Sequence, residues 1–352
     1  MKPVLTLIPR ITIHPDKIIT YNETDWYPSK PSQSKIIDWI DPRFSRIENF
    51  KHKKNIPGQK ISLHAKKKID RATDYLLCTS VDKQATTRLT GKNFMFRIAF
   101  ITLTLPSRQQ HTDNQIKSLC LNSFIIELTR IYHVKNYIWR SELQQNGNIH
   151  FHILIDKFVP WSELRDRWNR IINKLGYVDR YRENMKSFYR QGFKVREELL
   201  NKWNKEKQFK AYQANKKTDF HNPNSTDIHS IRKINNIKMY ISKYMTKSKE
   251  DNIESLKSTE ADKNHSGRIW GCNQNLSNIK GAETVADSYF QDELKEVIKK
   301  SNCYKFESTY FSVYYIDYKS IPSCGGNQLF RLFSQFLIDK FNFHQQLNTN
   351  IN

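Results

Sequence analysis

The dipeptide Asn146-Gly147 separates two strand-like runs, Tyr137 to Gln145 and Ile149 to Asp156. Asn-Gly at such a position is the strongest short-range sign of a β-hairpin, because both residues tolerate the positive φ angles that a tight turn requires. The hairpin predicts that two antiparallel strands lie at the centre of the fold.

A buried strand and a helix are expected before this hairpin. The run Phe94 to Leu105 is apolar at both positions of a two-residue alternation and ends at Pro106, which is typical of a buried central strand. Thr112 or Asp113 then suits the N-cap of a helix. Apolar residues recur along that helix at helical spacing: Ile116, Cys120, Phe124, Leu128 and Ile131.

Two more helices are expected after the hairpin. The first spans about 161–175, stops at Gly176 and has an apolar side that consists of Trp161, Leu164, Trp168, Ile171 and Ile172. The second spans 228–247, after a loop at 221–227, and has an apolar stripe that consists of Ile231, Ile234, Ile237, Ile241 and Met245. The predicted class is α+β: a central antiparallel sheet of four or five strands with flanking helices on one face, and basic N-terminal and C-terminal extensions.

His150 and His152 are two residues apart on a predicted strand. They therefore project from the same face of the sheet, while Phe151 between them points to the other face. Two imidazoles that converge on one point supply two ligands to a metal ion. The alternative is that both are ordinary half-exposed strand residues, because a His-apolar-His triplet also arises by chance.

A metal site needs a third ligand, and the turn decides which residue is available. A two-residue turn pairs Leu143 with His150 and leaves Glu142 on the opposite face of the sheet. A three-residue turn with a glycine bulge pairs Glu142 with His150 and places the carboxylate beside the histidines. Glu142 is the first candidate for the third ligand, and Gln144, on the same face as Glu142, is the alternative.

The predicted helix at 228–247 carries two tyrosines. Tyr240 and Tyr244 are four residues apart, so they lie about 40° apart on a helix, with Lys243 just beyond them on the solvent side. A phenolate is a competent nucleophile toward phosphorus, and a nearby cation or metal ion favours the ionised form of a group whose pKa is about 10. The alternative is that both are boundary residues of an amphipathic helix.

The charge balance points to a polyanionic partner. The chain has 58 Lys and Arg against 35 Asp and Glu, a formal charge of +23, and nucleic acid is the default partner for such a chain. One basic segment lies at 51–71; a second, at 180–217, is interleaved with aromatic residues that suit either stacking on single-stranded DNA or the core of a further helix. The candidate DNA-binding residues are Lys66, Lys67, Lys68, Arg180, Arg182, Arg190 and Lys194.

Several classes of protein are disfavoured by the sequence. No apolar run approaches the roughly 20 residues of a membrane span, so no membrane partner and a cytoplasmic location are expected. The five cysteines form no CxxC pair, which disfavours a disulfide scaffold. A GxxxxGK[ST] phosphate loop is missing, so no helicase motor is expected in this chain. Three regions are predicted: a basic N-terminal region at 1–93, a central domain at 94–275 and a C-terminal region of unknown role at 276–352.

Three segments in this order resemble the motifs of HUH-type rolling-circle replication initiators. They are Phe100-Ile-Thr-Leu-Thr-Leu-Pro106, His150-Phe-His152 and Tyr240-Ile-Ser-Lys-Tyr244. The spacing of the two tyrosines is similar to the two-tyrosine branch that occurs in single-stranded DNA bacteriophages. A further segment, Arg268-Ile-Trp-Gly271, is similar to one that follows the tyrosine helix in phage members.

The resemblance implies a ferredoxin-like or RRM-like HUH domain that nicks and rejoins single-stranded DNA. His150, His152 and a third ligand would hold a divalent metal, Mg²⁺ or Mn²⁺, and two imidazoles suit Mn²⁺ better. Tyr240 would form a 5′-phosphotyrosine, Tyr244 would act at the regenerated junction, and Lys243 would stabilise negative charge. The implied partners are single-stranded DNA or an origin hairpin, with a host helicase and a host polymerase.

Two alternatives to a replication initiator follow from the same residues. A two-tyrosine transposase or a plasmid relaxase would use the same chemistry on different DNA. A non-catalytic basic DNA-binding protein would explain the charge and the aromatic residues, but it gives no reason for the histidine pair and the tyrosine pair to occur together. The oligomeric state is not predicted.

Overall fold

A computed structural model describes residues 6–25, 61–86, 91, 93–144, 146–231, 245 and 267–341. The chain forms two compact units, a terminal unit of residues 1–53 and 278–352 and a central unit of residues 54–277. This division differs from the three consecutive regions predicted above, because segments near both ends of the chain share one unit. Within the described residues, no helix has the length and the apolar character that crossing a membrane requires.

The secondary structure of the described residues is mixed. The strands are β1 (Thr6–His14), β2 (Lys17–Asp25), β3 (Lys83–Thr86), β4 (Asn93–Phe96), β5 (Ile98–Leu103), β6 (Tyr137–Leu143), β7 (Ile149–Ile155), β8 (Thr226–Ile231), β9 (Trp270–Cys272), β10 (Ala282–Val285), β11 (Tyr304–Glu307) and β12 (Phe311–Tyr315). The helices are α1 (Leu63–Thr79), α2 (Asp113–Ile116), α3 (Asn122–Arg130), α4 (Trp161–Asn173), α5 (Tyr177–Phe188), α6 (Lys205–Lys217), α7 (Gln274–Ser277), α8 (Ser288–Ser301) and α9 (Asn327–Phe341). The predicted α+β class is confirmed.

The central unit contains a five-stranded antiparallel sheet in the order β8-β5-β7-β6-β9. The predicted hairpin is confirmed as β6 and β7, with Leu143 opposite Ile149. The amide of Gln144 donates to the carbonyl of Asn148 at 2.8 Å, so residues 145–147 form a three-residue turn. Gly147 has a φ of +81°, a left-handed conformation that glycine adopts without steric cost. The turn is therefore the three-residue alternative.

The predicted strand at 94–105 is two strands rather than one. β4 ends at Phe96 and pairs with β3 in a separate ribbon, whereas β5 pairs with β7 and β8 in the main sheet. The break is at Arg97, whose guanidinium donates to the carbonyls of Leu77 and Ser80 at the end of α1. A charged side chain anchored in this way turns the chain between two apolar segments.

The helix after β5 begins as predicted, with Thr112 as the N-cap and a reciprocal hydrogen bond between Thr112 and Gln115. A π-helical turn at Lys117–Leu121 separates α2 from α3. The prediction that Ile131 belongs to the apolar stripe is wrong. Ile131 is the C-cap of α3 and is 47% exposed, because the helix ends at Arg130.

The next helix, α4, confirms the prediction for 161–175 and packs on the hairpin. Trp168 is fully buried, its indole contacts the rings of Phe124 and Phe151, and its Nε1 donates to the carbonyl of Thr104. Trp161, predicted to lie in the apolar side, is exposed at the start of the helix. Its Nε1 donates to the carbonyl of Thr226, so it ties α4 to β8.

The start of the predicted helix at 228–247 is wrong. Residues 226–231, which include part of the predicted loop, form β8 and pair antiparallel with β5. The pairing is favourable because it hydrogen-bonds a second edge of the apolar strand β5, a long-range contact that local periodicity does not reveal. Met245 is helical and fully buried. Residues 232–244 lie outside the described residues.

The terminal unit also contains a five-stranded antiparallel sheet, in the order β10-β1-β2-β12-β11. Ile11, Ile13 and Ile18 of its first two strands are fully buried, as are Leu329 and Phe333 of α9. The prediction of a basic C-terminal extension is wrong: residues 276–352 contain eight Lys and Arg and eight Asp and Glu, and their formal charge is zero. The positive charge of the chain therefore lies elsewhere.

Candidate functional site

The two faces of the central sheet differ in chemistry. On one face Phe151, Ile153 and Ile155 of β7 are fully buried in a core that includes residues of α3 and α4. The alternation of a strand sends His150 and His152 to the opposite face. The core anchors β7 and thereby fixes the two imidazoles on the side away from α4.

Glu142, His150 and His152 meet on this second face. Glu142 lies directly opposite His150 in the β6–β7 ladder, as the three-residue turn requires. Its carboxylate oxygens lie 3.7 Å from Nε2 of His150 and 3.6 Å from Nε2 of His152. One ligand atom from each residue lies within 4.8 Å of the others, and no other group of this kind is found in the part of the chain that the structure describes.

The electrostatics of the three residues suit a divalent cation. Burial, followed by the neighbouring His150, lowers the pKa of His152 to about 4, which keeps its imidazole neutral at pH 7. Burial raises the pKa of Glu142, but the interaction with His150 and the charge of Arg140 outweigh it and hold that pKa below its usual value. The site thus offers a carboxylate and a neutral imidazole, the forms that metal ligands take.

The imidazole of His150 supplies a direct test of whether a metal fits. Both of its ring nitrogens are buried, and neither makes a hydrogen bond with a described residue. A buried polar atom without a hydrogen bond is costly, and most are satisfied in native proteins. Coordination of an ion by His150 would remove this cost, so the donor set fits a divalent metal.

Neighbouring strands place further polar and aromatic residues around the three candidate ligands. Thr102 of β5 lies opposite His152, with its Oγ1 3.3 Å from Nδ1 of the imidazole. The ring of Phe100 lies between two histidines, with centroids 5.1 Å from those of both His152 and His229. His229 was missed by sequence reasoning because β8 was expected to be helical.

Arg140 is the other residue that sequence reasoning missed. It lies opposite His152 in the ladder, is only 9% exposed, and its guanidinium is 3.9 Å from the carboxylate of Glu142. The signal was available, because Arg140 is two residues before Glu142 on the same strand and therefore shares its face. A buried cation beside a candidate metal site makes that face more attractive to an anion.

The other predicted site residues are distributed as follows. Tyr240, Lys243 and Tyr244 lie outside the described residues, so their position relative to the histidines is not given. Gln144, the alternative ligand, follows the last residue of β6 and is half-buried. The three predicted DNA-binding lysines of α1 are all exposed near the start of that helix: Lys66, Lys67 and Lys68.

The remaining predicted DNA-binding residues belong to the segment between α4 and β8. Arg180 and Arg182 lie on α5, and Arg182 is bonded to Asp219. Arg190 and Lys194 are exposed in the loop that follows α5. None of the four lies in the cluster formed by Glu142 and the histidines.

Comparison with known proteins gives one match. Residues 98–249 match the family model for replication-associated protein ORF2. The match covers less than half of the chain, and it contains Glu142, both histidines and the Tyr240–Tyr244 segment. No curated protein and no solved structure matches the chain. The match supports a role in the initiation of DNA replication and is consistent with a rolling-circle replication initiator.

Proposed function

We propose that this protein initiates rolling-circle DNA replication by nicking and rejoining single-stranded DNA through a 5′-phosphotyrosine. The observation that carries the proposal is the cluster of Glu142, His150 and His152 on one face of an antiparallel sheet, inside the segment that matches the replication-associated family. The family match alone suggests an endonuclease in general terms. The cluster adds a candidate site with the donor atoms that metal-dependent phosphodiester chemistry uses.

In this proposal His150, His152 and Glu142 hold the metal. A bound Mg²⁺ or Mn²⁺ would act as a Lewis acid that polarises the scissile phosphate. Thr102 would keep the imidazole of His152 in the tautomer that presents Nε2 to the metal, by accepting the proton on Nδ1. Arg140 would add a fixed positive charge beside the phosphate.

The transfer of the strand rests on the two tyrosines of the resemblance. The phenolic oxygen of Tyr240 attacks the phosphorus, the bond from phosphorus to the 3′ oxygen breaks, and the tyrosine proton passes to that oxygen. The products are a 5′-phosphotyrosine and a free 3′-hydroxyl that primes synthesis by a host polymerase. Tyr244 then attacks at the regenerated junction, and the phosphotyrosine bond retains the energy for rejoining without ATP. Lys243 stabilises charge on the phosphate or the phenolate.

A covalent adduct tests this function. Purified protein is incubated with Mn²⁺ and a pool of single-stranded oligonucleotides that includes many hairpins, each labelled at its 3′ end. A 5′-phosphotyrosine leaves the 3′ fragment on the protein, so a labelled band at protein mass is expected on a denaturing gel. The band should disappear with a chelator and in the double variant Tyr240→Phe/Tyr244→Phe.

The controls separate the enzyme from a simple DNA-binding protein. The double tyrosine variant should still bind Mn²⁺ and DNA, whereas His150→Ala/His152→Ala should lose metal binding and adduct together. Tight DNA binding without any adduct across the pool would contradict the proposal and favour the non-catalytic alternative.

A further inference from the structure

A helical module of residues 177–220 connects α4 to β8 and holds much of the positive charge that the structure describes. It consists of α5, a short 3₁₀ turn at Glu197–Leu199 and α6. It contains twelve Lys and Arg against six Asp and Glu. The described residues of the terminal unit contain ten against eleven. The charge of the chain is therefore concentrated, and this module is one of the places where it is concentrated.

The module is firmly attached to the central unit at both ends. At its start Tyr177 is fully buried, and its hydroxyl accepts hydrogen bonds from the amides of Gln110 and His111. Just beyond its end, the side-chain amide of Asn169 donates to the carbonyl of Pro223. Two fixed ends make the module a rigid part of the unit that contains the candidate metal site.

Some of the aromatic residues of the module form its own small core. The ring of Tyr189 lies 4.7 Å from that of Tyr212 and 5.9 Å from that of Phe220, centroid to centroid. Phe193 lies 5.5 Å from Tyr212. For these residues the helix-core alternative of the sequence analysis is the one that holds.

Three other aromatic residues of the module remain at the surface. Phe188, Phe209 and Trp203 are 39%, 42% and 46% exposed. Trp203 makes no ring contact with any described residue, so packing does not explain why a tryptophan is present. The ring of Phe188 has Lys194 and Arg196 beside it, at 5.7 Å and 5.5 Å from its centroid. Exposed rings and cations are thus interleaved on one segment.

Most of the cations of the module are not neutralised within the protein. Four of the twelve form ion pairs with acidic residues of the module: Arg182, Lys186, Arg196 and Lys210. The other eight make no ion pair with a residue that the structure describes: Arg180, Arg190, Lys194, Lys202, Lys205, Lys207, Lys216 and Lys217. Such a surface favours a polyanion.

We propose that this module, residues 177–220, holds a single strand of DNA outside the nicking site. Cations follow a phosphate backbone of any form, but exposed aromatic faces are useful only where bases are unstacked and accessible. The combination therefore selects single-stranded over double-stranded DNA. The proposal deepens the proposed function and rests on it for the identity of the nucleic acid.

Fluorescence anisotropy with the full chain tests the module. The probes are a labelled 20-nucleotide oligothymidine and a 20-base-pair duplex. Trp203→Ala should bind the single strand at least fivefold more weakly and the duplex unchanged, because stacking on an aromatic ring contributes only to unpaired bases. Trp203→Phe, which keeps a ring, should restore most of the affinity and shows that the loss is not a folding defect.

A second variant tests the cations. Lys194→Ala/Lys202→Ala/Lys205→Ala should reduce the slope of log affinity against log salt by about 2, since each phosphate contact to a single strand contributes roughly 0.7. The matched control is Lys280→Ala/Lys299→Ala/Lys340→Ala, which removes three exposed lysines of the terminal unit that form no ion pair with a described residue. This control should behave as the unmodified protein.

The outcomes separate this proposal from the proposed function. Unchanged single-strand binding in both module variants, or equal weakening of single strand and duplex by Trp203→Ala, would overturn the role of the module. Normal adduct formation with those same results would leave the nicking function intact. Conversely, selective loss of single-strand binding in a protein that never forms an adduct would support the module and contradict the nicking function.

Discussion

Thr102 Oγ1 lies 3.3 Å from Nδ1 of His152, across two paired strands of the central sheet. If Nδ1 carries the proton, Thr102 accepts it and leaves Nε2 free to bind a metal. Thr102→Val keeps the shape of the side chain and removes the acceptor, so we expect Mn²⁺ to bind about tenfold more weakly. Thr102→Ser should bind Mn²⁺ as the unmodified protein does. Isothermal titration calorimetry measures both, and equal affinity in all three proteins would exclude this role for Thr102.

The choice of third ligand can be decided with two variants. Glu142 lies 3.7 Å and 3.6 Å from the two imidazoles, so Glu142→Gln should lose Mn²⁺ affinity by at least tenfold. Gln144→Ala is the matched control and should retain the affinity. Electron paramagnetic resonance of free Mn²⁺ reports binding without any DNA. The reverse result would identify Gln144 as the ligand.

The two tyrosines should separate in the cleavage step. We expect Tyr240→Phe to abolish initial cleavage of a single-stranded substrate while leaving DNA affinity nearly unchanged. Tyr244→Phe should cleave but fail to complete strand transfer. Loss of initial cleavage only in Tyr244→Phe would exchange the two roles, and equal partial losses would mean that the tyrosines are interchangeable.

The reactivity of Cys272 provides a pH test of the placement of β9. Burial raises the pKa of Cys272 to about 11, compared with the usual value near 9. The thiolate fraction at pH 8 should therefore be about a hundredfold lower in the folded protein than in the unfolded one. Iodoacetamide labelling followed by mass spectrometry should show slow modification at pH 8 that accelerates above pH 10. Equally fast labelling of Cys272 at pH 8 with and without denaturant would show that β9 is not packed on β6.

The core behind the candidate site can be tested with two tryptophans. Trp168 is fully buried against Phe124 and Phe151, so Trp168→Ala should lower the free energy of unfolding by about 3–5 kcal/mol. Trp203→Ala is the control, because its exposed ring contacts no other described ring, and its effect should stay within about 0.5 kcal/mol. Urea unfolding followed by circular dichroism compares the two, and similar losses would contradict the packing described.

Local signals in the sequence account for what was predicted correctly. The Asn146-Gly147 turn, the Thr112 cap and the apolar side of α4 each depend on residues within a few positions of one another. The arrangement of Glu142 and His150 followed once the turn had three residues, which the sequence offered only as one of two alternatives. Local chemistry thus specified the hairpin and most of the candidate metal cluster.

The errors have a shared physical cause in contacts between distant segments. β8 is a strand because it pairs with β5, more than a hundred residues earlier, although its isoleucine spacing is also compatible with a helix. Arg97 interrupts an apolar run because carbonyls at the end of α1 accept its hydrogen bonds. The pairing of β2 with β12 likewise has no local signature. Side-chain patterns within a short window carry no information about such partners.

The pairing of β1 with β10 and of β2 with β12 has a consequence for biosynthesis. The first two strands leave the ribosome long before their partners at residues 282–315 exist. At a translation rate of about 5–20 residues per second, they wait on the order of tens of seconds without their neighbours. The central unit is complete before then and is free to fold first. The nascent chain therefore carries an unpaired apolar hairpin through most of its synthesis, and premature termination would release it with both strand edges open.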